Sequence, residues 1–385
     1  MTTPPIKYGL FADAPDLLGN VPALAKLKKH APAYIRQAEA AQTVCRRFAR
    51  QEMLPRVLNT DEKCAEDPTY FDWDLWQKAN ALKLTIAAIP EKMGGLGWSA
   101  LSNAVMVEEL AGACLASASN ITFNTFGLLG ALVECRTGTV MNIIRQMVDA
   151  QKKAEPLFWS WAITEPSAGT DMEEGAAMAA MRPSTIAEKV EGGYKLNGTK
   201  CFITNGSLAH FVIANMPTDP SAPRDSMATF LVPTDAKGFS VGRVERKCGQ
   251  KASQTAELFF RDVFVPDENM WEPPGRGLRH TREILSITRG YIGVAGLGLA
   301  NGALSHCVDY AARKTIRDGR RLIDEDWVRF IIADIAKDIA AVRNAAYNFA
   351  LALDAKHVWQ MFEAAPVKAA LKTLPESLLG SRAAA

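Results

Sequence analysis

Two hydrophobic textures alternate along the chain. From about residue 22 to 150, apolar positions recur at helical spacing, in alanine-rich segments such as 31–53 and 72–84, punctuated by Pro55, Pro68 and Pro90. In 102–113, Val105, Val107 and Leu110 fall against Glu108 and Glu109, which predicts an amphipathic helix with a polar glutamate face. The polar stretch 149–156 reads as a linker. Beyond it come short β-rich runs at 158–164, 194–196, 201–204, 211–214, 229–232 and 258–265. Turn residues separate them, including Gly192-Gly193, Asn205-Gly206 and Lys237-Gly238. Asn197-Gly198 predicts a hairpin turn between 194–196 and 201–204. Many short strands without long helices between them predict an antiparallel barrel or sandwich. Helical spacing returns over 278–315 and 325–355. The helical–β–helical order predicts an α+β fold, with a helical domain at 1–156, a central β-domain at 157–272 and a C-terminal helical domain at 273–385.

Composition narrows the classes. Among 385 residues, 48% are hydrophobic and 22% charged, which excludes a disordered chain and predicts two or three domains with proper cores. Forty-four basic and 42 acidic residues leave a formal charge of +2 without long runs of one sign, so no nucleic-acid or anionic-membrane partner is expected. Seven scattered cysteines without a C-x-x-C pair predict reduced thiols rather than a zinc ribbon or disulfide scaffold. The start, Met1-Thr2-Thr3-Pro4-Pro5, carries no signal pattern, and the apolar stretch 291–300 is about half the length of a bilayer span. A cytoplasmic protein without a membrane span is the expectation.

Several chemistries drop out next. The five histidines have no partners at metal-ligand spacing, so no metal is expected. Gly296-Leu297-Gly298 begins like a dinucleotide loop, but Asn301 stands at the third glycine position and the string lies inside a helical run. Gly290, Gly293, Gly296 and Gly298 therefore predict close helix packing. No Walker loop and no G-x-S-x-G elbow occurs.

The unusual string is Trp161-Ala-Ile-Thr-Glu-Pro-Ser-Ala-Gly-Thr-Asp171, after a β-like run. Gly169 permits close backbone approach to a ligand, and Thr164 and Thr170 carry hydrogen-bonding hydroxyls. Alone, it also reads as a polar turn with an Asx-type bond from Asp171. It is accompanied by Ile89-Pro-Glu-Lys-Met-Gly-Gly-Leu-Gly97 upstream, and downstream by Tyr194-Lys-Leu-Asn-Gly-Thr-Lys-Cys-Phe-Ile-Thr-Asn-Gly206 and Lys247-Cys-Gly-Gln-Lys-Ala-Ser-Gln-Thr255. In this order the four strings resemble the acyl-CoA dehydrogenase family, over about residues 84 to 353.

The resemblance implies an N-terminal helical domain, a central β-domain and a C-terminal helical bundle, here incomplete. It implies FAD, an acyl-CoA substrate oxidised at its Cα–Cβ bond, an electron-transferring flavoprotein as acceptor, and a homo- or hetero-oligomer. Trp161, Ile163, Thr164, Gly169 and Thr170 would line the flavin and its phosphates, with Thr170 also touching the acyl-CoA. Phe202, Ile203 and Thr204 would flank the ring, Phe202 standing where tryptophan is common and Ile203 also reading as plain β-core. Ser286 and Arg289, three apart on a helix, would look towards the substrate. Arg313 would reach an FAD pyrophosphate in a neighbouring subunit.

The resemblance breaks at the base. The α-proton of a thioester needs a carboxylate of raised pKa. The family's usual spacing puts that glutamate beyond Ala385, and the alternative position before Arg289 is Thr288. Glu283 lies about 120° round the helix from Arg289. No catalytic residue is assigned. A fragment of a longer dehydrogenase is the expected explanation; a heteromer subunit whose partner supplies the base, and a member with altered chemistry, stand beside it. Two rival functions follow: a non-catalytic or half-site subunit, and a flavin monooxygenase on the same fold.

Overall fold

The computed structural model describes residues 7–122, 138–169 and 181–361, with the backbone alone at 139–140, 278–280, 282–283, 286 and 356–361. The longer helices are α1 (Pro22–His30), α2 (Pro32–Phe48), α3 (Val57–Glu66), α4 (Trp73–Ala81), α5 (Ala100–Ala113), α6 (Gly138–Lys152), α7 (Gly277–Arg313) and α8 (Asp326–Met361). The polar stretch read as a linker is thus helical as far as Lys152. The chain forms two compact units. One comprises residues to 57, 96–119 and those from 289 onward; the other comprises 58–95 and 120–288.

In the first unit, α1 and α2 open on Pro22 and Pro32, whose fixed φ suits a first turn and whose missing N–H costs nothing there. α5 corrects the amphipathic expectation: every residue from 100 to 111 is buried, including both glutamates. Neither is solvated, because each has its own arginine. Glu109 receives Arg46 Nε at 2.7 Å and Gln42 Nε2 at 2.9 Å from α2. Glu108 receives Arg343 Nε at 2.9 Å and the Tyr347 hydroxyl at 2.7 Å from α8. A buried carboxylate stays in place only when paired in this way.

The N-terminus of α5 is capped at long range. Asp354 of α8 accepts from the backbone N–H groups of Ala100 at 2.7 Å and Leu101 at 2.9 Å, and from the Tyr34 hydroxyl. Burial pushes its carboxyl up to about 6, and the hydrogen bonds offset only part of that. The folded state therefore holds this proton more tightly than the unfolded chain. The resulting stabilisation is complete below about pH 4 and is lost as pH rises through about 6. Asp354→Asn is expected to flatten that part of the stability profile, read as urea midpoints between pH 4 and 7.

α7 crosses α5 on glycine. A Cβ on Gly298 would lie 2.4 Å from the Glu108 carbonyl oxygen, and one on Gly302 would lie 2.0 Å from that of Gly112. A Cβ on Gly290 would likewise lie 2.0 Å from Phe349 Cζ. Close packing thus explains Gly290 and Gly298. It does not explain Gly293 and Gly296, which face open space on the same exposed side as Ile292 and Leu299. By length and composition Ile287–Arg313 could cross a bilayer, but 56% of its most apolar window is buried, as in a core helix.

Among the described residues the second unit holds eight strands: β1 (Trp159–Ala162), β2 (Ile186–Val190), β3 (Gly193–Thr204), β4 (Phe211–Pro217), β5 (Met227–Pro233), β6 (Phe239–Val244), β7 (Thr255–Pro266) and β8 (Met270–Glu272). They form two four-stranded sheets, ordered β1-β4-β5-β8 and β2-β3-β7-β6. Alternate residues of both sheets, among them Ala162, Val212, Phe230, Leu196, Ile203 and Phe260, fill one shared core. Of barrel and sandwich, this is the two-sheet arrangement. One pairing departs from the antiparallel expectation: β1 lies parallel to β4. The opposite face of the first sheet carries Trp159, Ile213, Leu231 and Trp271 against Ile143, Met147 and Ile284 of α6 and α7.

β3 corrects the predicted hairpin. Its two halves are one 12-residue strand, and Asn197-Gly198 lies within it at a register shift against β7. Gly198, at φ +124°, sits where a Cβ would come within 2.7 Å of the Ser184 carbonyl oxygen, so close approach and not a turn requires glycine. The actual hairpin joins Val190 to Gly193 through Glu191-Gly192, with Gly192 at φ +73°.

Candidate functional site

The two strings singled out in the sequence meet in the second unit. Beyond β1 the chain runs beside β3, and the Cys201 N–H donates to the Thr164 carbonyl at 3.0 Å. The site-forming event is a β-bulge. Lys200 pairs with Leu258 and Ile203 with Ala256, so β3 spends three residues where β7 spends two. The extra residue puts Phe202 at φ +58°, a left-handed conformation costing a non-glycine residue about 1–3 kcal/mol.

The bulge turns Phe202 outward. Its ring is 61% exposed, Ile203 is 2% exposed in the sheet–sheet core, and Thr204 is exposed again. The strained backbone presents a large aromatic face and a hydroxyl to solvent, beside Ile163 and Thr164, an arrangement on which a flat ligand could stack. The residues present fit an isoalloxazine: Phe202 could supply a face, and Thr204 and Thr164 could supply hydroxyls. Gly169 adds open space, since a Cβ there would meet nothing nearer than Thr164 Cγ2 at 3.9 Å.

Other residues named in the sequence turn their side chains into the scaffold. Ile203 offers no side chain to a ligand. Ile163 packs half-buried against Ala168, Met181 and Met227. The Trp161 indole is half-buried. Its N–H donates to Asn215 Oδ1 at 2.6 Å, and its ring stacks on Trp271 at 5.8 Å. Asn215 is held in turn by donating to the hydroxyls of Thr229 at 3.0 Å and Thr281 at 2.9 Å. The Trp161 N–H and one face of its ring are thus committed to the scaffold beneath the 163–164 segment.

In α7, Arg289 is exposed, and Ser286 is placed by its backbone alone. Thr288 donates its hydroxyl to the Leu285 carbonyl at 3.1 Å, an intrahelical bond consistent with its exclusion as a base. Arg313 is exposed at the end of α7, where the Asp309 carboxylate one turn earlier holds it and raises its pKa. Thr170 lies outside the described residues.

Glu165 and Lys200 stand in the two strings without a role assigned from sequence. Their side chains are fully buried and paired at 2.7 Å. Lys200 also donates to the Ile163 carbonyl at 2.9 Å. Glu165 Oε2 accepts from the Ser184 N–H at 2.6 Å and the Thr185 N–H at 3.2 Å, and Oε1 accepts from the Thr185 hydroxyl. Burial alone would raise the Glu165 carboxyl, but the Lys200 charge and these hydrogen bonds hold it below its usual range. Burial lowers Lys200, against the pull of Glu165. The available signal is a charged residue at the edge of each of two β-like runs, Glu165 directly after 158–164 and Lys200 directly before 201–204.

Residues 36–153, 160–263 and 275–374 match, in turn, the N-terminal, middle and C-terminal domains of acyl-CoA dehydrogenases. The chain belongs to the acyl-CoA dehydrogenase family. It is therefore an oxidoreductase acting on acyl-CoA. It is 30% identical over 329 residues to an acryloyl-CoA reductase (NADH) of Anaerotignum propionicum, covering 86% of this chain and 79% of that one. It is 29% identical to a probable medium-chain specific acyl-CoA dehydrogenase of Caenorhabditis briggsae, covering 81% and 73%. Among solved structures, butyryl-CoA dehydrogenase of Megasphaera elsdenii superposes with a TM-score of 0.73 at 27% identity, covering 90% of this chain and 88% of that one. A chain from a structure described as the electron transferring flavoprotein of Acidaminococcus fermentans superposes at 0.71 and 25% identity, covering 90% and 88%.

Proposed function

We propose that this chain carries out FAD-dependent α,β-dehydrogenation of an acyl-CoA thioester and passes the electrons to an electron-transferring flavoprotein, working as part of an oligomer. The observation that carries the proposal is the bulge in β3, which sets Phe202 and Thr204 facing outward beside Thr164. Bound FAD supplies the hydride-accepting ring and the capacity to release electrons singly. The protein supplies position and electrostatics. Phe202 packs on a ring face, and the Thr204 hydroxyl stabilises negative charge at the ring edge by donating a hydrogen bond. The Arg313 guanidinium fork suits a diphosphate, in keeping with the family role of that position. Removal of the α-proton is a step for which no described residue is assigned.

Anaerobic addition of butyryl-CoA to the FAD-loaded protein tests the proposal. The visible flavin band is expected to bleach, and to recover when an electron-transferring flavoprotein is added. A bound flavin that ignores several acyl-CoA chain lengths would instead assign the chain a non-catalytic role in a heteromer. Oxygen-dependent consumption of reduced flavin without CoA binding would assign it to monooxygenase chemistry.

A further inference from the structure

The Glu165–Lys200 pair has more to do than fill the core. As a contribution to stability, a fully buried ion pair is unremarkable, since two apolar residues of similar volume commonly serve as well. What ions add is direction, and here one point of opposite charges joins three separate segments. The Lys200 ammonium donates to Glu165 Oε1 and to the Ile163 carbonyl. The Glu165 carboxylate gathers the backbone N–H groups of Ser184 and Thr185, so residues 165 and 184–185 are held together. Lys200 is also the last residue of β3 in register before the bulge, so its anchorage fixes where Cys201, Phe202 and Ile203 begin to deviate.

We propose that Lys200 and Glu165 are positioning residues for the cofactor: their buried pair holds the 163–164 carbonyl edge against the β3 bulge, so that Thr164, Phe202 and Thr204 meet the flavin as one preformed surface. This rests on the flavin reading above. Neither side chain touches the ligand, because both are fully buried. Their effect passes through Ile163, Thr164 and the bulge.

The test separates folding from positioning. Lys200→Met strands a buried carboxylate and is expected to lower the melting temperature of the FAD-free protein and to weaken FAD binding. The double variant Glu165→Gln/Lys200→Met removes both charges, and a second, Glu165→Leu/Lys200→Met, makes the site wholly apolar. At least one double variant is expected to recover most of the FAD-free melting temperature while its FAD dissociation constant, from quenching of flavin fluorescence, stays at least tenfold weaker. A folded double variant that binds FAD within twofold of the parent, with the parent's visible spectrum, overturns the assignment. So does failure of both double variants to fold, which would make the pair a requirement of folding. A parent protein that refuses FAD sinks the functional proposal and this one together, whereas normal uptake by the double variant sinks this one alone.

Discussion

Gly302→Val is expected to unfold the first unit. A Cβ at that position would stand 2.0 Å from the Gly112 carbonyl oxygen and 2.8 Å from its carbon, both backbone atoms that no rotamer change can move aside. Separating the helices would open the buried length of α5 to water, where Glu108 and Glu109 make their buried ion pairs. Overpacking in a core that can adjust costs about 1–3 kcal/mol; a backbone clash has less room and should exceed that, a large part of a total of about 5–15 kcal/mol. Loss of helical circular dichroism, or a collapse of the urea midpoint, is the measurement. Gly296→Ala, one turn and a half away on the open side of the same helix, is the control. There the added methyl meets nothing, so stability should be unchanged or rise by about 0.5–1 kcal/mol.

Arg343→Met should be nearly as severe. The guanidinium makes two hydrogen bonds to Glu108 Oε1, at 2.9 and 2.7 Å, and the side chains are 8% and 5% exposed. Removing it leaves a carboxylate in the core with the Tyr347 hydroxyl as its remaining hydrogen-bond donor among the described residues. Breaking one side of such a pair costs about 3–5 kcal/mol, most of it the penalty of an uncompensated charge. Adding Glu108→Gln to the same chain should return much of that loss, since the charge is then gone. A urea-melt double-mutant cycle gives the coupling. A double variant no more stable than Arg343→Met alone would show that the loss is one of packing and not of charge.

How far the sequence carried the fold depended on whether the causes were local. The long helices α7 and α8 lay close to their expected bounds, because their apolar spacing is a property of neighbouring residues. α5 was misread for the opposite reason. Glu108 and Glu109 look solvated until their arginines arrive, and those arginines lie 235 and 63 residues away. The same holds in β3, where Asn197-Gly198 has the composition of a hairpin turn but its glycine answers to Ser184 across the sheet. Within the site, the strings around Trp161 and Phe202 stood out in the sequence and the structure joins them. Their side-chain directions were not legible. Period-two alternation cannot foresee a bulge, and the bulge is what turns Phe202 out; nothing near Trp161 in sequence announces that Asn215 will claim its indole.

The distance between Glu108 and Arg343 also bears on how the molecule is made. With 235 residues between them, a ribosome adding about 5–20 residues per second delivers the arginine roughly ten to fifty seconds after the glutamate. During that interval α5 is a greasy segment carrying an acid with no counterion, and Asp354, which will cap it, has not been synthesised either. Early burial of α5 is therefore penalised. The nascent first unit must wait for its last helix, while the sheets, whose strands all lie between Trp159 and Glu272, close before that helix emerges. Synthesis in this order places closure of the β-domain ahead of the first unit's buried pairs.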